Sequence, residues 1–265
     1  MSKSSAPSTP QSVQINLRDM GLKYLGAIQR SFDMAACTIG SLRCQTEKDY
    51  DEFARIVRFM PSQQHHLGFD RIRPEAENWL LRQLLADSMG MLIPMLEDAR
   101  SVSELAKWKA AGGTDQSAVK KILDEDRKAF LRLSLEDKLK HLKEKFAISA
   151  SNEAFLPGYL KLGAALTRGG TVAENDVTDN KNLVVRLAVV ELGKVEKNDK
   201  STPGSGITGR LLEAQKRFAV GDKIEFNKDE VLSLFAMIAL FVTGIMGSLQ
   251  TFVKKTIPDE ATSAN

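Results

Sequence analysis

Side chains able to move a proton near neutral pH are scarce in this chain. It has three histidines, His65, His66 and His141, and histidine is the side chain whose unperturbed pKa lies in that range. His65 and His66 stand together in "PSQQHHLGFDRIR", a polar stretch that reads as a solvated loop. His141 stands in "LEDKLKHLKEKF". Leucines at helical spacing among alternating charges predict a solvated helix face there, with pairs such as Glu136 and Lys140. A zinc site needs several His or Cys side chains to converge, and no CxxC or HxxxH spacing is present, so no metal is expected. Cys37 and Cys44 are seven apart, two turns along one helical face, and read as small reduced core residues of a cytosolic protein. There is no GxxxxGK[ST] and no GxSxG. The glycines of "TPGSGITG" do not lie between a strand and a helix, so no dinucleotide cofactor is expected. No pair of carboxylates separates itself from the rest as acid and base.

One stretch remains, "YLKLGAALTRGGTVAEND", residues 159–176. An apolar helix runs into Arg168 and then Gly169 and Gly170. Two glycines suit a left-handed helix end, and a cation in the last turn complements the helix dipole.

Positioning such residues falls to a chain that is mostly helical in pattern. At 265 residues with a formal net charge of +3, it is long enough for a sizeable core and too nearly neutral to demand a nucleic-acid partner. "MSKSSAPSTPQS" reads as a disordered leader over residues 1–13, with no apolar region of a secretory signal. A first amphipathic helix is predicted from about Ile15 to Arg43, with Tyr24, Ile28, Phe32, Ala35 and Ile39 on one face. Thr46 and Asp49 form a capping box for a second helix that stops at Pro61. A third starts at Pro74 and runs to about Arg100, kinked at Pro94. Ser101 and Glu104 suggest another capping box, and two more helices follow at about 116–132 and 135–146. After Gly170, "NLVVRLAVVEL" and "KRFAVGDKIEF" read as strands, joined by a loose loop at about 194–206.

Val231 to Val253 contains 23 residues and no charge. That length would span a bilayer core, which needs about 20 apolar residues. It suits equally well the central helix of a bundle, which is apolar all round. Ala236, Ala239, Thr243 and Gly247 fall at three- and four-residue steps, a device that lets another helix approach closely in either setting. We expect a buried core helix, with a C-terminal membrane anchor through 231–253 as the alternative.

The order "FLRLSLEDKLKHLKEKF", "YLKLGAALTRGGTVAENDV", "NLVVRLAVVEL" and "KRFAVGDKIEFNKDEVLSLFAMIALF" resembles the C-terminal half of bacterial HEPN-like proteins, over about residues 128–255. The resemblance implies a HEPN-like helical bundle with a small antiparallel β insertion. It also implies self-association and, in many relatives, metal-independent cleavage of RNA by an Arg and a His brought together across a dimer. The family reads Arg-Asn, a few residues, then His before the glycines. Here Leu162 and Gly163 take the Arg-Asn places and Thr167 takes the place of the His, with Arg168 just after. Arg58 and His65, with six residues between them, match the family's spacing loosely and are the candidate catalytic pair.

The expected organisation is therefore one mainly α domain over 14–257, a β insertion at about 182–226, and a disordered tail at 258–265. The expected function is a catalytically degenerate HEPN-like binding or regulatory module of a toxin–antitoxin or defence system. It would be cytoplasmic and homo-oligomeric, with Arg168, Gly169 and Gly170 as candidate contacts to RNA or a protein partner. An RNA-cleaving HEPN ribonuclease with a displaced site and a C-tail-anchored membrane protein stand as alternatives.

Overall fold

A computed structural model describes residues 16–54, 68–192 and 209–257. Its helices are α1 (Leu17–Cys44), α2 (Glu47–Ala54), α3 (Phe69–Gly90), α4 (Leu92–Ala110), α5 (Gln116–Leu131), α6 (Leu135–Phe146), α7 (Leu156–Thr167) and α8 (Lys228–Thr256). Between α7 and α8 lie the strands β1 (Asn182–Leu192) and β2 (Gly209–Ala219), which pair antiparallel from Asn182 with Ala219 to Leu192 with Gly209. The protein is thus mainly helical with a small two-stranded insertion.

The core forms around α8. Nine of its side chains are buried, among them Leu234, Ile238, Phe241, Ile245 and Leu249. Their spacing gives one continuous stripe along a helix whose composition shows no stripe at all. Asn227 and Glu230 start α8 with a reciprocal capping box. Lys216 of β2 bonds both Glu225 O and Glu230, fixing the insertion to that start. Helix α1 runs antiparallel to α8. Gly21 near its beginning lies beside Met246, and Arg43 near its end bonds the Phe226 carbonyl at 2.8 Å and pairs with Glu77 of α3. Of α1's predicted face, Tyr24, Ile28, Ala35 and Ile39 are buried.

Helix α7 meets the insertion edge-on. A Cβ on Gly158 would stand 2.3 Å from the Val184 carbonyl oxygen, so only glycine permits the approach. The Tyr159 hydroxyl reaches across to Arg186 O at 2.9 Å and Leu234 O at 3.1 Å, joining β1 to α8. Leu183, Val185 and Leu187 alternate inward from β1, as period-two patterning requires.

Several expectations need correction. The helix predicted from Pro74 begins at Phe69, because Phe69 is buried and its ring meets Tyr50 of α2 at 5.9 Å. The kink expected at Pro94 falls at Met91, the single residue between α3 and α4, whose backbone stays right-handed helical. A proline ring clashes with the carbonyl four residues earlier, which here is Gly90, so the helix is interrupted there and Pro94 falls in the first turn of α4, where no amide donor is needed. Ser101 and Glu104 cap nothing. They lie inside α4, where Glu104 is buried and pairs with Lys145 of α6. The second strand starts at Gly209 and ends at Ala219; "VGDKIEF" is a turn and a connection into α8, with a lone bridge between Lys223 and Thr171. Cys37 and Cys44 are exposed, since α1 turns its Tyr24–Ile39 face inward and leaves theirs to solvent.

Three substitutions test this packing. Phe241→Ala removes a fully buried ring at the centre of α8 and should cost about 3–5 kcal/mol in denaturant unfolding. Gly158→Ala forces α7 off β1 and should cost about 1–3 kcal/mol. Gly163→Ala, at a position with open space around it, should leave the midpoint unchanged or slightly raised.

Candidate functional site

The end of α7 is the place where sequence patterning raised a functional question, and its geometry is well defined. The helix stops at Arg168, and Gly169 and Gly170 follow with φ of 95° and 75°. Those angles are open to glycine and strained for other residues. The Gly170 amide donates back to Ala165 O at 3.0 Å, closing the six-to-one bond of a left-handed helix end. The glycine turn then feeds the insertion. Gly170 O accepts from Ile224 N at 2.7 Å, and Val172 exchanges bonds with Asp222 and Gly221. A Cβ on Gly170 would also meet the Asn78 amide of α3 at 2.7 Å.

Arg168 is committed within the same turn. Its guanidinium pairs with the carboxylate of Asp176, which is 1% exposed and also accepts from the Ala173 amide at 2.8 Å. Burial works against the Asp176 charge. The Arg168 hydrogen bond, the Ala173 amide and the Arg168 and Lys161 charges outweigh it and hold the carboxyl below its ordinary value of 3.8. Lys161, two turns before Arg168, donates to Asn175 O at 2.6 Å. Two cations of α7 thus clasp the 173–176 turn.

Around this clasp the other residues that sequence patterning singled out are packing groups. Leu162 is fully buried, and the Thr167 hydroxyl donates to Gly163 O at 2.8 Å within its own helix. Arg58, His65 and His66 lie outside the described residues. His141, expected on a solvated face, is half-buried. Its ring stands edge-on to Phe130 and Phe146, at 5.4 and 6.3 Å between centroids, because α6 turns that face toward the end of α5.

Sequence patterning gave no sign of two further polar sites. In the first, Tyr24 of α1 donates to Asp98 of α4 at 2.5 Å. Asp98 also lines an open cleft of about 440 Å³, together with Asp19, Lys23, Ser101 and apolar neighbours. Burial and the Asp98 contact push the Tyr24 phenol well above its ordinary value, so it stays a protonated donor and cannot act as a base. In the second, Arg100 is fully buried above the Phe130 ring and donates to Leu123 O at 3.2 Å. Lys138, also buried, crosses the same ring and binds the carbonyls of Leu131 and Leu133 at the end of α5. Both lysine bonds satisfy helix-end carbonyls, which makes Lys138 a cap. Burial lowers its pKa. Tyr24 and Asp98 are 74 positions apart and Arg100 and Leu123 are 23 apart, so no local spacing could announce those two contacts.

The Arg168–Asp176 clasp has a defined pH signature. A depressed native pKa makes the carboxylate's contribution complete above the ordinary Asp range, and the contribution is lost as pH falls through the lowered value. Acid unfolding of the wild type should therefore steepen below 3.8. Asp176→Asn should cost about 1–3 kcal/mol at neutral pH and flatten that acid limb, as read by urea titration at several pH values. A wild type and variant with parallel acid limbs would show that the clasp carries no charge-dependent stability.

Comparison with models of protein families, with curated proteins and with solved structures gives no match to this chain.

Proposed function

We propose that this chain is a HEPN-like binding or regulatory module, of the kind found in toxin–antitoxin or defence systems, that acts by holding a partner and does not cut RNA. The observation that carries this reading is the state of the α7 end. By the route that the resemblance implies, cleavage of RNA uses a cation free to meet developing phosphate charge and an imidazole to move the proton. Arg168 instead holds the buried Asp176, and Thr167, at the family's histidine place, is bonded back to its own helix. The sequence likeness across residues 128–255 supplies the family. A cytoplasmic setting is part of the same proposal.

The membrane-anchor reading draws on one observation: α8 is long and apolar enough, by length and composition, to cross a bilayer. Against it, withdrawing α8 would uncover nine buried side chains and the surfaces of α1, α3, α4 and β1 that face them. We favour α8 as the core helix of a protein that does not enter the membrane.

Total RNA run on a gel before and after induced expression in a bacterial host, beside a His65→Ala variant, tests the reading. Intact RNA from both proteins is the expected result. Discrete tRNA or rRNA cuts that disappear in His65→Ala would establish a displaced ribonuclease site and end the binding-module reading.

A further inference from the structure

A buried arginine is costly unless its charge and its donors are both met, because a guanidinium does not shed its proton inside a protein. Arg100 of α4 meets neither condition. It is fully buried. Its Nη2 donates to Leu123 O at 3.2 Å and reaches Ser101 Oγ at 3.5 Å. Its Nε and Nη1 are closed to solvent, and neither has an acceptor among the described residues. Carboxylates stand one turn away on either side and are engaged elsewhere. Glu97 pairs with Arg127 of α5, and Glu104 pairs with Lys145 of α6.

A second cation lies at the same ring. Lys138 is 2% exposed, and its ammonium stands 5.5 Å from the centre of the Phe130 ring that the Arg100 guanidinium approaches at 5.6 Å. The carbonyls that it binds, Leu131 O and Leu133 O, are neutral, and an ammonium has three donors. Burial lowers the Lys138 pKa by more than the charges of Asp137 and Glu97 raise it, so opposing charge is short here. The ring face offsets part of that shortage.

Helix α5 covers Arg100 and is lightly held. Among its described side chains only Phe130, near its end, is buried, while Lys120, Lys121, Asp124, Arg127 and Lys128 are exposed. It packs on α4. Between its start and Phe130, the Arg127–Glu97 pair and the Arg100 bond to Leu123 O tie it down. A helix anchored at one end opens locally at the other, and that gives a small solute its way to Arg100.

We propose that Arg100 and Lys138 hold a small tetrahedral oxyanion, phosphate or sulfate, enclosed between α4 and α5. Such an ion carries several acceptors around one negative centre, so it meets the open donors and the unopposed charge together. Water would meet the donors and leave the charge. Enclosure of the guanidinium favours the free ion over the same group carried on a bulky ester. The site lies on α4, away from the α7 end, and does not rest on the partner-binding reading; cellular RNA, intact or cut, leaves it untouched.

Calorimetric titration of the whole chain with inorganic phosphate, against chloride at matched ionic strength, tests it, with amide hydrogen exchange to locate the ion. Phosphate and sulfate should each bind saturably and slow exchange in α5. Arg100→Met keeps the length of the side chain and removes its charge, and should weaken phosphate binding about tenfold or more. In chloride alone that variant should melt at or above the wild type, since an unpaired charge leaves the interior. Should it fold poorly, Arg100→Lys decides: it keeps a charge and should also bind phosphate more weakly than the wild type. Glycerol phosphate should bind less tightly than the inorganic ion; tighter binding would overturn the free ion as occupant in favour of a phosphate carried by a larger molecule. No binding of phosphate or sulfate to the wild type overturns the inference. Binding that both Arg100 variants leave unchanged overturns it as well and marks an adventitious ion only.

Discussion

Helix α8 has to be covered, and the rest of the molecule is arranged by that requirement. Twenty-three consecutive uncharged residues cannot stand in water at low cost, since burying each large aliphatic side chain is worth about 1.5–3 kcal/mol. The chain meets the demand with α1 laid antiparallel along one flank, α3 and α4 behind it and β1 at its beginning. The ends of α8 are fixed by polar bonds in place of packing. Its first turn is held by the Asn227–Glu230 box, by Lys216 of β2 and, one residue earlier, by Arg43 of α1. Position along the helix is thus set by charge-assisted bonds at the end, and orientation by the apolar stripe.

The same economy explains the α7 end. That helix must stop abruptly, turn, and deliver the chain to the insertion without leaving buried backbone groups unpaired. Gly169 and Gly170 supply the positive φ angles, the Ala165 and Ile224 bonds satisfy the turn, and Arg168 with Asp176 holds the returning strand. A buried carboxylate needs a partner charge of this kind. The arginine that looks most available in the sequence is therefore bound by the fold itself.

Helices α4, α5 and α6 show a third arrangement, in which cations lie over aromatic rings. Arg100 and Lys138 share the Phe130 ring, and Lys107 and Lys145 flank Phe146. Each of these cations also reaches an oxygen on a neighbouring helix or turn: Arg100 at Leu123, Lys138 at Leu131 and Leu133, Lys107 at Lys145, and Lys145 at Glu104. The ring faces attract the charge and the oxygens give it direction. This ties α5 and α6, which are rather polar in composition, to α4, and α4 packs on α8.

The sequence by itself determined the helical majority, the positions of α1, α5 and α6 to within two residues, the strand 182–192 and the capping box at Thr46. These are local matters of spacing and hydrogen bonding, and nothing distant has to agree. The left-handed end at Gly169 and Gly170 was equally legible, because few other residues tolerate those angles. Tertiary structure decided the rest. It extended α3 back to Phe69 by burying that ring, and it carried α4 through Ser101 because Glu104 finds Lys145. It placed Cys37 and Cys44 in solvent and turned His141 toward two rings. It also joined Arg168 to Asp176 and gave an evenly apolar α8 a covered side and an open one. Spacing can say which residues share a face, but only the arrangement of neighbours decides which face is covered, and that decision settles what remains to bind a partner.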